Sequence, residues 1–284
     1  MRALAVFVFA IRLTAAGPFF FIQASDPQFG MYAKDREFHQ ETANWQFVIA
    51  NVNRLHPAFL VVTGDLTNKT GDADQVTEYK RITTQLDGTI HLYNVPGNHD
   101  IGNEPTAATL AAYRRNFGRD YYSFREGEFF AIVLDSVLMK APAKVPVQAA
   151  EQERWLESEL ARAHAEGLHP VIFQHHPIFL EHPDEPEQYF NLPLDTRARL
   201  LSLLHKYGVR YVFAGHYHRN AFGRDGDLDM ITTGPAGMPL GSDPSGFRIA
   251  EVNGSVIEQH YYSLGTIPNV YPLPAEPDHE VPGK

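Results

Sequence analysis

The residues best suited to chemistry form five short polar clusters spread over most of the chain. They are Asp26-Pro27-Gln28, Gly64-Asp65, Gly97-Asn98-His99-Asp100, His175-His176 and Gly215-His216-Tyr217-His218. Carboxylates, side-chain amides and imidazoles together make a mixed oxygen and nitrogen ligand set, which suits divalent first-row metal ions. The set is larger than one closed tetrahedral site requires. Two metal ions that share a carboxylate therefore explain the clusters better than one ion does.

Each of these clusters directly follows a predicted β-strand. Strands are predicted at residues 19–24, 59–63, 90–95, 170–174 and 209–214, and the first two are runs typical of strands buried on both faces. Helices are predicted between them, from the spacing of apolar residues around 45–55, 74–86, 149–166 and 196–207. In an open α/β sheet, ligands bind beyond the carboxyl ends of the strands. We therefore expect the five clusters to converge on one place in an α/β fold.

The composition excludes several other kinds of site and partner. The 284 residues contain no cysteine, which excludes disulfide frameworks, iron–sulfur clusters, thiolate zinc sites and cysteine nucleophiles. A net charge of −10 argues against sequence-independent binding of nucleic acid and against docking on anionic lipid. No run beyond the N-terminal segment approaches the roughly 20 apolar residues of a membrane span. We expect no nucleic-acid partner and no membrane span.

The two ends of the chain differ in composition from the part between them. Residues 1–16 combine a basic start, a short apolar run and small residues, and this predicts a signal peptide of a secreted or periplasmic protein. Because Arg12 interrupts the apolar run, an additional N-terminal strand in a cytoplasmic protein is the alternative. Residues 17–265 contain no linker or repeat and are interpreted as one domain. The acidic, proline-rich tail at 266–284 is expected to wrap the surface or to be disordered.

The order of the clusters resembles the calcineurin-like metallophosphoesterase superfamily. The pattern of that superfamily is Asp-x-His, Gly-Asp, Gly-Asn-His-Asp/Glu, a later His, and Gly-His-x-His, each after a successive strand. All five blocks occur here in that order between Asp26 and His218, with Gln28 in the place of the first His. The Asp-Pro-Gln opening further resembles the group of calcineurin-like phosphoesterase domain-containing protein 1, which is described as a Ser/Thr protein phosphatase. The resemblance implies a four-layer α/β/β/α sandwich.

The resemblance also implies which residues hold the two ions, with Asp65 as the bridging ligand of both. The ligands of the first ion would be Asp26, Gln28, Asp65 and His218, and those of the second would be Asp65, Asn98, His175 and His216. His175 is preferred to His176 because the ligand in the family lies at the strand end, two residues before a frequent proline. The ions would be Mn, Fe, Zn or Mg.

The sequence also contains a match to a glycosylation acceptor, Asn68-Lys69-Thr70. A glycan at Asn68 would obstruct the site.

The activity implied by the resemblance is hydrolysis of phosphoric esters. Metal-activated water would attack phosphorus in line, while His99 would donate a proton to the leaving oxygen and Asp100 would hold the His99 ring in the required tautomer. The main hypothesis is a phosphomonoesterase acting on a phosphorylated small molecule or a phosphoprotein, the latter as a Ser/Thr phosphatase. The alternatives are a phosphodiesterase acting on cyclic nucleotides or glycerophosphodiesters, and a metal-binding scaffold without catalysis.

Overall fold

The computed structural model describes residues 17–273, so the predicted signal peptide at 1–16 and residues 274–284 of the predicted tail lie outside the described part. Eleven strands are described. They are β1 Phe19–Ala24, β2 Phe59–Thr63, β3 His91–Val95, β4 Tyr122–Glu126, β5 Phe129–Val133, β6 Val171–Phe173, β7 Tyr211–Ala214, β8 Ala221–Asp225, β9 Leu228–Thr232, β10 Gly246–Asn253 and β11 Val256–Ser263.

Seven α-helices connect these strands within residues 17–273. They are α1 His39–Leu55, α2 Ala73–Thr83, α3 Asn98–Ile101, α4 Ala107–Phe117, α5 Ser136–Lys140, α6 Pro146–Ala165 and α7 Leu194–Lys206, with a short 3-10 helix at Pro142–Lys144. The apolar spacing in the sequence correctly predicted α1, α2, α6 and α7. None of the helices within 17–273 is both long and apolar enough to cross a bilayer.

The strands form two mixed sheets. The first has the order β11-β10-β1-β2-β3, in which β1, β2 and β3 run parallel and β10 lies antiparallel to β1. The second has the order β4-β5-β6-β7-β9-β8, with β5, β6, β7 and β9 parallel and antiparallel strands at both edges. Both sheets therefore contain the parallel strand ends that the sequence predicted to carry polar clusters.

Three apolar cores separate four layers. Alternate residues of β1 point to opposite sides, so Ile22 packs with Trp45 of α1 on the outer face, while Phe21 packs in the space between the two sheets. The rings of Phe21 and Phe213 of the second sheet meet edge to face, with centroids 5.5 Å apart. The third core lies between the second sheet and helices α6 and α7. The predicted α/β/β/α sandwich is confirmed.

The first part of the predicted tail packs on the domain. Arg54, near the end of α1, donates a hydrogen bond to the carbonyl oxygen of Pro268 at 2.9 Å. The ring of Tyr271 lies 4.9 Å from that of Phe20. Residues 268 and 271 thus lie against the domain, and whether the rest of the tail wraps the surface or is disordered stays a prediction.

Candidate metal centre

The carboxyl ends of the two sheets meet at one edge of the sandwich. His175, which follows β6 in the second sheet, directs its Nδ1 to the carbonyl oxygen of Thr63 at the end of β2 in the first sheet, at 2.8 Å. The backbone N–H of His216, after β7, donates to Asp26 Oδ2 after β1, at 3.1 Å. The structure therefore brings the polar clusters of both sheets into contact.

Two groups of buried ligand atoms form where these ends meet. One contains Asp65, His175 and His216, and the other contains Asp26, Asp65 and His218; within each group the ligand atoms lie within 4.8 Å of one another. Asp65 belongs to both groups. One carboxylate shared by two groups is the arrangement that the sequence predicts for a bridging ligand.

The histidines of these groups are held in defined tautomers. Each has one ring nitrogen on a backbone carbonyl oxygen: His175 Nδ1 on Thr63 at 2.8 Å, His216 Nε2 on Tyr189 at 3.3 Å and His218 Nδ1 on Met238 at 2.6 Å. Because a carbonyl only accepts, that nitrogen carries the proton, and in the neutral ring the other keeps its lone pair. Metal-binding histidines are commonly oriented in this way.

When the histidines are neutral, acceptor atoms face one another at the centre of the cluster, which is unfavourable unless a metal ion or an added proton lies among them. Asp26 Oδ1 is buried without a hydrogen-bond partner among residues 17–273, and it lies 3.4 Å from His218 Nε2. His175 Nε2 lies 3.2 Å from Asp65 Oδ2 and 3.0 Å from Asn98 Oδ1. These oxygen and nitrogen atoms are therefore suitable ligands for divalent metal ions.

The charges of the cluster shift the pKa values of its members in opposite directions. Burial alone would lower the pKa of His175, but the charge and hydrogen bond of Asp65 and the charge of Asp26 raise it to about 9. Burial and the neighbouring charge of His175 lower the pKa of His216 to about 3. Burial would raise the pKa of Asp65, but the charges of His175 and His99 lower it. Without a metal ion, a proton on His175 stabilises the carboxylates.

Backbone strain is concentrated at the same residues. Five of them have φ in the left-handed region, which is uncommon outside glycine. They are Asp26 at 48°, Gln28 at 42°, Asp65 at 49°, His216 at 66° and His218 at 54°. Such conformations cost about 1–3 kcal/mol each and are typical of functional sites, where the surrounding structure holds them in place.

Two motif glycines allow the loops to approach the carboxylates. A Cβ atom at Gly97 would overlap with Oδ1 and the backbone nitrogen of Asp65, and one at Gly215 would overlap with Ser25 Oγ. Ser25 Oγ in turn donates to Asp26. Any side chain at Gly97 or Gly215 would therefore push apart the loops that carry the ligand atoms.

The amide of Asn98 presents its oxygen to the cluster. Its Nδ2 donates to Asn103 Oδ1 at 3.0 Å and to the hydroxyl oxygen of Tyr189 at 3.3 Å. Its Oδ1 faces His175 Nε2. These contacts place an oxygen ligand beside the group of Asp65 and His175.

The amide of Gln28 is oriented by a chain of hydrogen bonds that ends at a carboxylate. Asp35 can only accept, so Asn68 directs its Nδ2 to Asp35 Oδ1 at 2.7 Å. Asn68 Oδ1 then accepts from Gln28 Nε2 at 3.2 Å. Gln28 Oε1 is left buried without a partner among residues 17–273. Asn68 is thus committed to the site, which disfavours its use as a glycosylation acceptor.

His99 lies beside the cluster, and its ring is not held by Asp100. The backbone N–H of His99 donates to Asp65 Oδ1 at 2.8 Å, and His99 Nδ1 lies 2.6 Å from the carbonyl oxygen of Asn68. The prediction that Asp100 fixes the tautomer of His99 is therefore wrong. The physical reason is the tight turn after Gly97, which points the Asp100 carboxylate back into the protein.

Asp100 instead connects the loops after β2 and β3. Its carboxylate accepts from the backbone N–H groups of Gly97 at 2.9 Å, Leu66 at 3.2 Å and Thr67 at 3.0 Å. Burial and the charge of Asp65 raise the pKa of Asp100, although these backbone donors oppose the shift. Asp100 positions the loops that carry Asp65 and His99.

His176 lies outside both groups. It is buried, and its Nδ1 lies 3.0 Å from Ser136 Oγ. Burial and the charge of His216 lower its pKa well below the usual value. The structure thus brings His175, rather than His176, to the other ligand atoms.

Sequence reasoning missed the roles of three residues at the site. Asn68 and Asp35 orient Gln28, and Tyr189 contacts Asn98 and His216. A signal for Asn68 exists in the sequence, since it follows the Gly64-Asp65 cluster by three residues. No comparable pattern marks Tyr189, which lies in the loop between β6 and α7.

Comparisons with known proteins agree with this geometry. The sequence model of the family described as "Calcineurin-like phosphoesterase" matches residues 21–220. The human "Serine/threonine-protein phosphatase CPPED1" is 38% identical over 280 residues, which cover 93% of this chain and 89% of the human protein.

Solved structures share the fold at low sequence identity. A dimetal phosphatase from Danio rerio has a TM-score of 0.58 and 16% identity, covering 86% of this chain and 99% of its own. A purple acid phosphatase, PPD1, from yellow lupin seeds has a TM-score of 0.67 and 14% identity, covering 89% of this chain and 52% of its own. With the matching family model and the identity to the human protein, these findings show that the chain is a metal-dependent phosphoester hydrolase of the calcineurin-like phosphoesterase family.

Proposed function

We propose that the chain is a phosphomonoesterase that acts on phosphoserine and phosphothreonine in proteins. The main observation in support of a hydrolytic metal centre is that the Asp65 carboxylate is shared by two groups of buried ligand atoms. The preference for phosphoproteins is supported by the 38% identity to a human protein named as a Ser/Thr phosphatase.

The proposed ligands are divided between the two groups. Asp26, Gln28, Asp65 and His218 would hold one divalent ion, and Asp65, Asn98, His175 and His216 would hold the other. When bound, the ions supply Lewis acidity that polarises the phosphoryl oxygens and lowers the pKa of water. Two divalent ions bring four positive charges against the two carboxylates of Asp26 and Asp65. With both ions bound, the site would be locally cationic and would attract a phosphate in spite of the net charge of −10.

His99 is the proposed proton donor to the leaving oxygen. Its Nδ1 donates to the carbonyl oxygen of Asn68, so Nε2 is the ring nitrogen available to a substrate, and it is the imidazolium form, protonated on both nitrogens, that would give its Nε2 proton to the leaving oxygen. The ring is partly exposed, which allows contact with the ester. Since the backbone N–H of His99 bonds Asp65 Oδ1, the ring is positioned relative to the bridging carboxylate.

A substrate panel tests the proposal. Metal-loaded protein is assayed with p-nitrophenyl phosphate, with bis-p-nitrophenyl phosphate, and with matched phosphoserine, phosphothreonine and phosphotyrosine peptides. An Asp65→Asn preparation, purified identically, controls for contaminating phosphatases. Faster turnover of the monoester and of the phosphoserine and phosphothreonine peptides is expected.

Two other outcomes would replace the proposal. Preferential hydrolysis of the diester would indicate the phosphodiesterase alternative, and cyclic nucleotides and glycerophosphodiesters would then be assayed. No turnover of any ester by protein that holds both ions would indicate a metal-binding scaffold.

We also propose that residues 1–16 direct export of the protein. The support is the basic start and the short apolar run of this segment. Intact-mass measurement of protein exported from a secreting host is expected to show a chain that begins near Gly17. An exported chain that retains Met1 would contradict the proposal.

A further inference from the structure

Tyr189 lies at the rim of the metal centre and contacts two of the proposed ligands of one ion. Its hydroxyl oxygen accepts from Asn98 Nδ2 at 3.3 Å, and its carbonyl oxygen lies 3.3 Å from His216 Nε2. The rings of Tyr189 and His216 are 5.0 Å apart. Even so, 52% of Tyr189 is exposed to solvent. A molecule that binds at the centre from solvent can therefore reach this side chain.

The loop that carries Tyr189, residues 181–192, is held by buried polar residues at its base. The guanidinium of Arg197 donates to the carbonyl oxygens of Pro183 at 3.0 Å, Glu185 at 2.7 Å and Leu192 at 3.1 Å. Asn191 is fully buried and donates to Glu185 Oε1 at 2.7 Å. These hydrogen bonds hold the base of the loop, so Tyr189 lies on a segment whose position is fixed.

The carboxylate of Glu185 braces the start of the same loop. It accepts from the backbone N–H groups of Leu180 at 2.8 Å, Glu181 at 2.9 Å and His182 at 3.2 Å. A group held in place before binding loses less entropy when a ligand binds. Tyr189 is therefore well suited to a recognition role.

The hydroxyl proton of Tyr189 is available for a ligand. The amide of Asn98 can only donate through Nδ2, so the hydroxyl oxygen acts as the acceptor in that contact. Among residues 17–273, no group accepts a hydrogen bond from this hydroxyl. The phenol thus presents an unused donor at the edge of the proposed phosphate-binding site.

We propose that Tyr189 is a substrate-contacting residue whose hydroxyl donates a hydrogen bond to a phosphoryl oxygen of the bound ester. This inference rests on the proposed function and adds to it a recognition group supplied by the loop between β6 and α7. The ligand class is a phosphate or phosphomonoester. A purely structural role for the hydroxyl would be to orient Asn98, and the two roles predict different effects.

The test replaces Tyr189 by Phe, which keeps the ring beside His216 and removes only the hydroxyl. Binding of inorganic phosphate to the metal-loaded protein is measured by calorimetry, which requires no turnover. The metal affinity of stripped protein is measured separately. Tyr121→Phe serves as the matched control, because Tyr121 packs on Trp155 with ring centroids 5.0 Å apart, outside the metal centre.

Tyr189→Phe is expected to bind phosphate about tenfold to a hundredfold more weakly, since a hydrogen bond to a charged group is lost. Its metal affinity and its thermal unfolding are expected to match those of Tyr121→Phe and the parent. Unchanged phosphate binding would overturn the inference. Weaker metal binding would also overturn it, because the hydroxyl would then act by orienting Asn98. Absence of ester hydrolysis in the parent would instead overturn the proposed function.

Discussion

The two ligand groups lie at the same edge of the sandwich, but they differ in the types of ligand that they contain. The group of Asp65, His175 and His216 contains two imidazoles, whereas the group of Asp26, Asp65 and His218 contains one imidazole and two carboxylates. Imidazole suits zinc and iron, whereas carboxylate and amide oxygens suit magnesium and manganese. We refer to the two as the imidazole-rich group and the carboxylate-rich group. The same strand-end architecture thus supplies two sites with different expected metal preferences.

The side-chain amides beside the two groups also differ, because their orienting hydrogen bonds are not equally shielded from solvent. Asn98, beside the imidazole-rich group, is oriented by the hydrogen bond from its Nδ2 to Asn103 Oδ1, which is partly buried. Gln28, beside the carboxylate-rich group, is oriented through Asn68 by Asp35, and the contact between these last two residues is exposed to solvent. We therefore expect the carboxylate-rich group to bind its ion more weakly.

The largest effect is expected for Asp65→Asn, which removes the charge shared by both groups. Activity should fall to background and both ions should be lost, as measured by inductively coupled plasma mass spectrometry. Asp135→Asn is the matched control, because Asp135 is also buried but caps α5 through the backbone N–H groups of Val137 and Leu138. Retention of one ion at full occupancy in Asp65→Asn would contradict the bridging role.

The next variants separate the two groups. His216→Ala should lose the ion of the imidazole-rich group and His218→Ala that of the carboxylate-rich group, so that each variant retains one ion per chain. Each should also lose most activity, because both ions take part in the reaction. Native mass spectrometry measures the remaining stoichiometry. Loss of both ions in either variant would show that the groups do not bind independently.

His99→Ala should separate catalysis from metal binding in both groups. Both ions should be retained, while esters with poor leaving groups should react about 10²- to 10⁴-fold more slowly, as is typical for loss of a general acid. Aryl esters with good leaving groups should be affected much less. A series of phosphomonoesters of graded leaving-group pKa measures this, and equal slowing across the series would exclude the proton-donor role.

Gln28→His should reduce the difference in metal affinity between the two groups. If Gln28 Oε1 is a ligand, an imidazole there should tighten the weaker site and shift its preference toward zinc or iron. Metal titration of the stripped parent and variant, with manganese and with zinc, measures the change. If Gln28 instead bonds only a water molecule, affinity at the weaker site would stay the same.

The smallest effect is expected for Asn68→Ala, which breaks the chain of contacts between Asp35 and Gln28. Loss of such an orienting partner typically costs about 10- to 100-fold in metal affinity, and we expect the lower end because the outer contact is exposed. Only the carboxylate-rich group should change in the same metal titration. Equal weakening at both groups would indicate a general loosening of the loop after β2.

Much of the architecture could be predicted from the sequence, because the position at which a strand ends can be recognised from the residues around it. Apolar runs identified β1 and β2, strands were also predicted at β3, β6 and β7, and the polar residues after each strand had to lie at the carboxyl edge. The structure then shows that both sheets direct these ends to the same place. Gly97 and Gly215 belong to the motifs because a side chain at either position would separate the loops.

What could not be predicted depends on how loops fold over one another. The adjacency of His99 and Asp100 suggested a contact between the two side chains, whereas the turn points Asp100 at Leu66 and Thr67. The hydrogen bonds from Asn68 to Asp35 and from Asn98 to Tyr189 join residues 33 and 91 positions apart. Apolar periodicity gives no information on such contacts, because they join polar side chains from separate loops.

The most direct test of two unequal groups that share Asp65 is a stepwise metal titration of stripped protein, with bound metal and hydrolysis of p-nitrophenyl phosphate measured together. Binding of two ions per chain in two resolved steps is expected, with activity appearing mainly as the second, weaker site fills. Full activity at one ion per chain, or activity that persists in the stripped protein, would contradict a two-ion centre bridged by Asp65.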